Sequence, residues 1–321
     1  MKRILRVLGL VSGLLIVVIA GLAAFVSVRG IPRHQVPVVA SVLPSTPARV
    51  LHGEKLVTVL CTYCHQNQSK GTLAGRAMPD ISTDLGNLSS PNITQDPTYG
   101  IGKWTDQQLV ALLRTGTGPD GRLRLVMPHF AHLSDEDAAS IVAFLRSENP
   151  LVKATAQPSR PQEYSFLAKS LANNVIQPTP LLAHGVVAPA ASNPVELGRY
   201  LVIGRYQCYA CHSSDFSTND ETSPEKSKGY LAGGCNMLDD KLTPRVTRNL
   251  TMEPTTSLGE WNEEAFSKAV KYGMSPNGAL HNPMPKFSTM TDEQVHAIWM
   301  YLQTVPKINN ATSEDGAVAA R

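Results

Sequence analysis

The sequence predicts a mainly α-helical protein in which two copies of one module follow an N-terminal transmembrane helix. Three observations support this prediction: an apolar run near the N-terminus, a long internal repeat, and helix-capping residues that recur in both copies. The chain has 321 residues, which is enough for two domains of ordinary size, each with its own hydrophobic core.

The first 30 residues are predicted to form a membrane anchor. After the basic start MKRILR, an apolar run of 22 residues extends from Val7 to Val28, or about 33 Å of helix, enough to cross a bilayer. Basic residues at the start favour a cytoplasmic N-terminus and an exported remainder. A cleaved signal peptide, with a small-residue site at Gly21-Leu22-Ala23, is the alternative, although the apolar run continues past that site.

The charge balance argues against a nucleic-acid partner. The formal net charge is +3, but four of the 29 basic residues lie within the first 29 positions. The remainder has 25 basic and 26 acidic side chains and shows no basic stripe of the kind that binds phosphate backbones.

An internal repeat occupies most of the remaining chain. Residues 91–130 align with residues 248–287 at a constant offset of 157 and without a gap. Identical positions include the pairs Asn92/Asn249, Trp104/Trp261, Gly116/Gly273, Met127/Met284, Pro128/Pro285 and Phe130/Phe287. We therefore predict one domain at 45–150 (the first copy) and another at 195–306 (the second copy). A proline-rich linker at 151–194 joins them, and a flexible tail follows at 307–321.

Capping signals place short helices at equivalent positions in the two copies. The predicted N-caps are Thr105, Ser134, Asn193, Asn262 and Thr291, and the predicted C-terminal glycines are Gly116 and Gly273. The linker segment EYSFLAKSLANNVI is predicted to form one more short helix. Alternating apolar and polar runs long enough for a sheet do not occur in the sequence.

The motif CxxCH occurs once in each copy, as CTYCH at 61–65 and as CYACH at 208–212. A zinc site needs four ligands, usually from two close pairs, whereas these cysteine pairs lie 147 residues apart in different copies. A redox dithiol would expect a βαβ setting, and both alternatives leave the histidines without a role. Haem c gives a role to both cysteines and the histidine of each motif, because the two thiols form thioethers and the histidine binds the iron.

The sequence therefore predicts two covalently bound haem c groups. The predicted thioether residues are Cys61, Cys64, Cys208 and Cys211, and the predicted proximal ligands are His65 and His212.

Met127 and Met284 are the predicted sixth ligands of the two irons. They occupy equivalent positions, 62 and 72 residues beyond the two proximal histidines, and each precedes a proline that disfavours helix. The alternative is that both are ordinary core methionines. The other candidate ligands do not recur in register: they are Met78, His129 and His281.

The order of CxxCH, SPNITQDPTYGIGKWTDQQL, RTGTGPDGRLRLVMPHF and LSDEDAASIVAFL resembles class I-like cytochrome c modules. It is most similar to the multihaem cytochrome c subunits of bacterial membrane-bound alcohol, aldehyde and gluconate dehydrogenases. The resemblance covers about 50–148 and 195–305. It implies two tandem class I cytochrome c domains with His/Met-ligated iron. It also implies close crossings of the first and last helices, at Gly53 with Phe144 and at Gly198 with Tyr301.

The resemblance further implies a membrane-anchored dihaem electron carrier rather than an enzyme. Its donor would be a dehydrogenase subunit, a quinol or a cytochrome, and its acceptor a cytochrome, a terminal oxidase or the quinone pool. The haem domains would face the periplasm from the bacterial inner membrane, with the N-terminus in the cytoplasm. An iron with six ligands leaves no place for a substrate, which favours a relay. Trp104 and Trp261 are predicted either to bind haem propionates or to pack on the cores.

Two alternatives from other functional classes stay open. The first is a dihaem enzyme that resembles thiosulfate dehydrogenases or peroxidases, in which one haem opens or takes Cys235, or the neighbouring Met237, as an alternative ligand to the second iron. The second is a haem-bearing subunit that mainly anchors a catalytic partner. Cys235, the fifth cysteine, is otherwise expected to be a small buried apolar residue.

Overall fold

The computed structural model describes residues 2–312 and is mostly helical. The helices are α1 (Lys2–Arg29), α2 (Pro47–Leu60), α3 (Thr62–His65), α4 (Asp106–Thr115), α5 (Asp135–Leu145), α6 (Phe166–Asn174), α7 (Pro194–Tyr200), α8 (Cys208–His212), α9 (Glu263–Tyr272) and α10 (Asp292–Leu302). A π-helical turn, Leu201–Arg205, continues α7.

The strands are short and form three antiparallel pairs. They are β1 (Gly86–Asn87) with β2 (Glu163–Tyr164), β3 (Asn236–Leu238) with β4 (Pro244–Val246), and β5 (Met274–Ser275) with β6 (Gly278–Ala279). Because each strand has only two or three residues, the hydrophobic cores are formed mainly by the helices.

Each copy is built around one closely crossed helix pair. Helix α2 packs against α5 in the first copy, and α7 packs against α10 in the second. A Cβ on Gly53 would lie 1.9 Å from the carbonyl oxygen of Ser140 and 2.8 Å from Cβ of Phe144. A Cβ on Gly198 would lie 1.9 Å from the carbonyl oxygen of Ala297 and 2.8 Å from Cβ of Tyr301. Both predicted glycine–aromatic crossings are therefore confirmed.

The predicted helix ends are also confirmed. Thr105 and Thr291 each form a reciprocal capping box with the glutamine three residues later. Side-chain oxygens of Ser134, Asn193 and Asn262 accept hydrogen bonds from the backbone three residues on. Helices α4 and α9 end at left-handed glycines, Gly116 and Gly273, where a side chain would be strained.

Two hydrophobic clusters follow the two copies. The first is centred on α2, α4 and α5, with Val57, Leu133 and Phe144 fully buried, and the second on α7, the π turn and α10, with Leu201 and Leu302 fully buried. Equivalent residues of the repeat pack against the edges of these clusters: Trp104 and Met127 in the first copy, Trp261 and Met284 in the second.

The linker and the start of the tail are tied to the two copies. The linker contains α6, as predicted. The amide of Asn92 donates to the carbonyls of Thr155 and Gln157, both at 2.9 Å, and the equivalent Asn249 donates to the carbonyl of Ile308 at 2.7 Å. Of the predicted tail, residues 313–321 lie outside the described residues.

Helix α1 is long and apolar enough to cross a membrane by length and composition. Residues Arg3–Arg29 form the apolar span, and its central side chains are exposed. Its C-terminal end is fixed by α6, because the side chain of Asn173 donates to the carbonyl of Gly30 at 2.8 Å and Val26 and Ile31 are buried.

Candidate haem attachment sites

Both CxxCH motifs fold as single helical turns that follow a longer helix. Cys61 terminates α2, and α3 carries Cys64 and His65, whereas α8 spans the whole second motif from Cys208 to His212. Residues three apart on a helical turn face the same side, so each cysteine pair is presented on one face with the histidine beside it.

Each proximal histidine is oriented by one backbone carbonyl. Nδ1 of His65 donates to the carbonyl oxygen of Pro91 at 2.9 Å, and Nδ1 of His212 donates to that of Arg248 at 2.7 Å. A carbonyl can only accept, so the proton lies on Nδ1 and the lone pair on Nε2, which is then the atom that can bind a metal. Neither carbonyl is predicted from the sequence, although Pro91 and Arg248 occupy equivalent positions of the repeat.

Burial keeps these groups uncharged. It lowers the pKa of both His65 and His212, against a smaller opposing effect of their carbonyl hydrogen bonds. Burial also raises the pKa of the Cys61 and Cys208 thiols to about 12 and that of Cys211 to about 11. Neutral imidazoles are the form that ligates iron.

The two methionines lie in equivalent loops at the edges of the two cores. The Met127 amide donates to the carbonyl of Arg124 at 3.1 Å, and that of Met284 to the carbonyl of His281 at 3.2 Å. Met127, Trp104 and Cys61 each pack against the first core. The second core is bordered by the equivalent set, Met284, Trp261 and Cys208. Axial ligation by these methionines stays a prediction.

The competing ligand candidates have other surroundings. Nδ1 of His129 lies 2.9 Å from Thr179 Oγ1 and 3.0 Å from Glu221 Oε2, within a polar contact between linker and copies. Met78 is buried. Cys235 is also buried, and burial raises the pKa of its thiol to about 12, as expected for a small apolar core residue.

The residues present fit covalently attached haem. Each copy offers two cysteines on one face, a histidine whose Nδ1 contact leaves the lone pair on Nε2, and a methionine beside the same core. When bound, haem supplies one-electron chemistry at its iron.

Comparison with known families agrees with this chemistry. Residues 48–145 match the family model described as cytochrome c oxidase, cbb3-type, subunit III. The cytochrome c subunit of the quinone alcohol dehydrogenase from Gluconacetobacter polyoxogenes is 28% identical over 77% of this chain and 54% of its own length.

Two further relatives differ in how much of their length is matched. The fructose dehydrogenase cytochrome subunit of Gluconobacter japonicus is 30% identical over 81% of this chain and 52% of its own length. A diheme cytochrome c-type protein of Cereibacter sphaeroides is 28% identical over 93% of this chain and 98% of its own length. The chain thus spans about half the length of the dehydrogenase subunits that it matches. Its attachment motifs, its family match and these relatives together identify it as a c-type cytochrome with covalently bound haem c.

Proposed function

We propose that the chain is a membrane-anchored dihaem cytochrome c built from two tandem class I cytochrome c domains. It relays electrons from a dehydrogenase subunit, a quinol or a cytochrome to a respiratory acceptor such as a terminal oxidase. The haem domains lie on the periplasmic side of the bacterial inner membrane, and α1 holds them there.

The observation that carries this proposal is the recurrence of one histidine contact in both copies. The same hydrogen bond occurs at equivalent positions of both copies, from His65 to the Pro91 carbonyl and from His212 to the Arg248 carbonyl. Two equivalent sites in one chain suit a relay, since an electron can enter at one iron and leave at the other. Methionine as sixth ligand would raise the potential of both haems and close each iron to substrate.

The relatives support the choice of partner. Those named above as dehydrogenase cytochrome subunits suggest a dehydrogenase as donor, and the diheme relative suggests two haems for a chain of this length.

The haem count tests the proposal. Denatured chains should keep the mass of two haems, because thioether bonds survive denaturation. Changing Cys208→Ala and Cys211→Ala together should leave one haem. The matched control is Cys235→Ala, which removes the fifth cysteine and should leave two. A wild-type chain with a single covalent haem would exclude the relay.

A further inference from the structure

The helix that leads to the second CxxCH differs from its counterpart in the first copy. Ten positions separate Gly198 from Cys208, whereas eight separate Gly53 from Cys61. The second helix accommodates the two extra residues as the π-helical turn Leu201–Arg205, while α2 continues as a regular helix. Such turns are rare and are frequently found at functional sites.

The π turn places Arg205 on a buried carboxylate of the other copy. Nε and Nη2 of Arg205 donate to the two oxygens of Asp137 at 2.6 and 2.9 Å, the two-pronged geometry of a strong arginine–carboxylate pair. Asp137 is 1% exposed and Arg205 is 6% exposed. Asp137 lies in the first turn of α5, so this ion pair joins the two copies.

Further groups complete the hydrogen bonding of Asp137. Tyr200 donates its hydroxyl to Asp137 Oδ2 and accepts from the amide of Ser134 at 3.0 Å, and His52 Nε2 lies 2.7 Å from Asp137 Oδ1. A buried ion pair adds little net stability, because desolvation opposes the attraction, but it penalises every arrangement in which one charge loses its partner. These four side chains, Asp137, Arg205, Tyr200 and His52, form what we call the inter-copy lock.

The lock lies beside a direct contact between the two candidate haem sites. Nε2 of Gln207 donates to the carbonyl of His129 at 2.6 Å. Gln207 directly precedes Cys208, and His129 is two residues beyond Met127. Nearby, a Cβ on Gly204 would lie 2.5 Å from the carbonyl oxygen of His132, so the π turn rests on the loop after Met127.

A cleft also lies between the two copies. There the first attachment motif faces the loop of the second methionine across a cleft of about 560 Å³, lined by Thr62, Tyr63, Asn282 and Met284 among others. The Gln207–His129 hydrogen bond, beside the lock, gives a direct bonded connection from the Met127 loop to the residue before Cys208.

From these contacts we infer that Arg205 is a positioning residue for electron transfer between the haem sites of the two copies. Its pairing with Asp137 fixes the second attachment helix on the Met127 loop and holds the Gln207–His129 hydrogen bond as the crossing point. This role rests on the proposed function, in which one iron is oxidised and the other reduced by one electron, with no bond made or broken.

The lock is tested by cutting the chain between the copies. A protease site is inserted after Val187, which is exposed, and the haem-loaded protein is cleaved and separated by size. Wild-type halves should stay together. Arg205→Met should weaken their association by roughly two to three orders of magnitude, since it leaves a buried carboxylate without its cation. The control is Arg245→Met, which removes an arginine–aspartate pair inside the second copy, with Asp239 at 3.0 Å.

Asp137→Asn tests the same pair from the first copy and decides the matter if Arg205→Met does not fold. Wild-type halves that separate, or Asp137→Asn halves that associate as tightly as wild type, overturn the lock. The haem content of the same samples is read separately: two haems with an unchanged association reject the lock alone, whereas one haem rejects the proposed function.

The crossing point has its own readout. In Gln207→Met the lock is intact, so the cut halves should stay together while electron equilibration between the haems after photoreduction slows several-fold. Gln303→Met, an exposed glutamine beyond α10, is the control and should equilibrate at the wild-type rate. An unchanged rate in Gln207→Met places the crossing elsewhere.

Discussion

Single residues at the two candidate sites combine a fixed histidine with a methionine at the border of the same core. The carbonyls of Pro91 and Arg248 orient the histidines, and the short loops before proline present Met127 and Met284. The proposed axial ligation therefore requires one methionine in each copy, and each methionine can be tested separately.

Met127→Ala and Met284→Ala should each remove about half of the sulfur-to-iron charge-transfer absorption of the oxidised protein, because each would open one low-spin His/Met centre. The absorption spectrum of the purified variants measures this. Met274→Ala, at an exposed position, should leave the band unchanged. If Met284→Ala has no effect and Cys235→Ala alters the spectrum, the second iron has a sulfur ligand other than the predicted one, and the enzyme alternative gains support.

Asp137 should make the junction between the copies sensitive to acid. Burial alone would raise the pKa of this carboxyl, but hydrogen bonds from His52, Arg205 and Tyr200 and the charge of Arg205 lower it to about 2 from 3.8. A depressed pKa contributes stability above the unfolded value, here about 2 kcal/mol, which is lost as the pH falls from about 4 toward 2. Cut halves should therefore separate over that interval. The cut halves of Asp137→Asn should associate weakly at every pH. Wild-type halves whose association does not change between about pH 4 and about pH 2 would contradict this prediction.

The site residues differ in how far the sequence alone could reveal them. The cysteines, histidines and methionines are predicted as site residues because they recur in both copies of the repeat. Asp137 and Arg205 could not be predicted, because they lie 68 positions apart in different copies, and the repeat aligns Asp137 with Gln294. A contact made across the copies leaves no periodic signal in either of them.

Among the elements, the crossed pairs α2 with α5 and α7 with α10 position the attachment motifs. In each pair a glycine lets the backbone of one helix approach the other, and the CxxCH follows within about three turns. A side chain at the crossing would push the attachment turn away from the methionine loop.

Gly53→Ala and Gly198→Ala should each lower the free energy of unfolding by about 1–3 kcal/mol or more, since the added methyl would overlap a backbone carbonyl of the partner helix. Thermal or denaturant unfolding of the haem-loaded protein measures the loss. Gly13→Ala, where nothing lies within 4 Å of the new methyl, is the control and should not destabilise. Equal stability of all three variants would show that the helices do not cross at these glycines.

Local chemistry explains which elements were predictable. Helix ends follow from caps within three or four residues, as in the box of Thr291 with Gln294, so their positions could be read directly. The strand pair β1 with β2 joins Gly86 to Tyr164 and brings the linker back to the first copy. Strands of two residues have no period, so this pairing was invisible in the sequence.

For the molecule as a whole, helix α1 and the first copy form a continuous structure. The backbone amide of His34 donates to the carbonyl of Gly121 at 2.7 Å, and the backbones of Arg33 and Arg122 form an antiparallel β-bridge. The chain after α1 therefore joins the loop that leads to Met127. With α6 packed on the end of α1, the proposed membrane placement would hold the first copy nearer to the bilayer.

Full-length protein should require detergent for extraction, because α1 exposes an apolar surface long enough to span the hydrocarbon layer. A chain that begins at Gly30, exported by a cleavable signal, should be soluble and keep both haems, since the cores and the lock lie beyond that residue. Alkaline washing of membranes measures how much of the protein stays in the membrane fraction, and N-terminal sequencing identifies the first residue of the mature chain. Val17→Arg in the full chain should weaken retention, whereas Gly13→Ala should not. Recovery of native protein from the soluble periplasm with its first residue near Phe25 would show that α1 is a removed signal peptide.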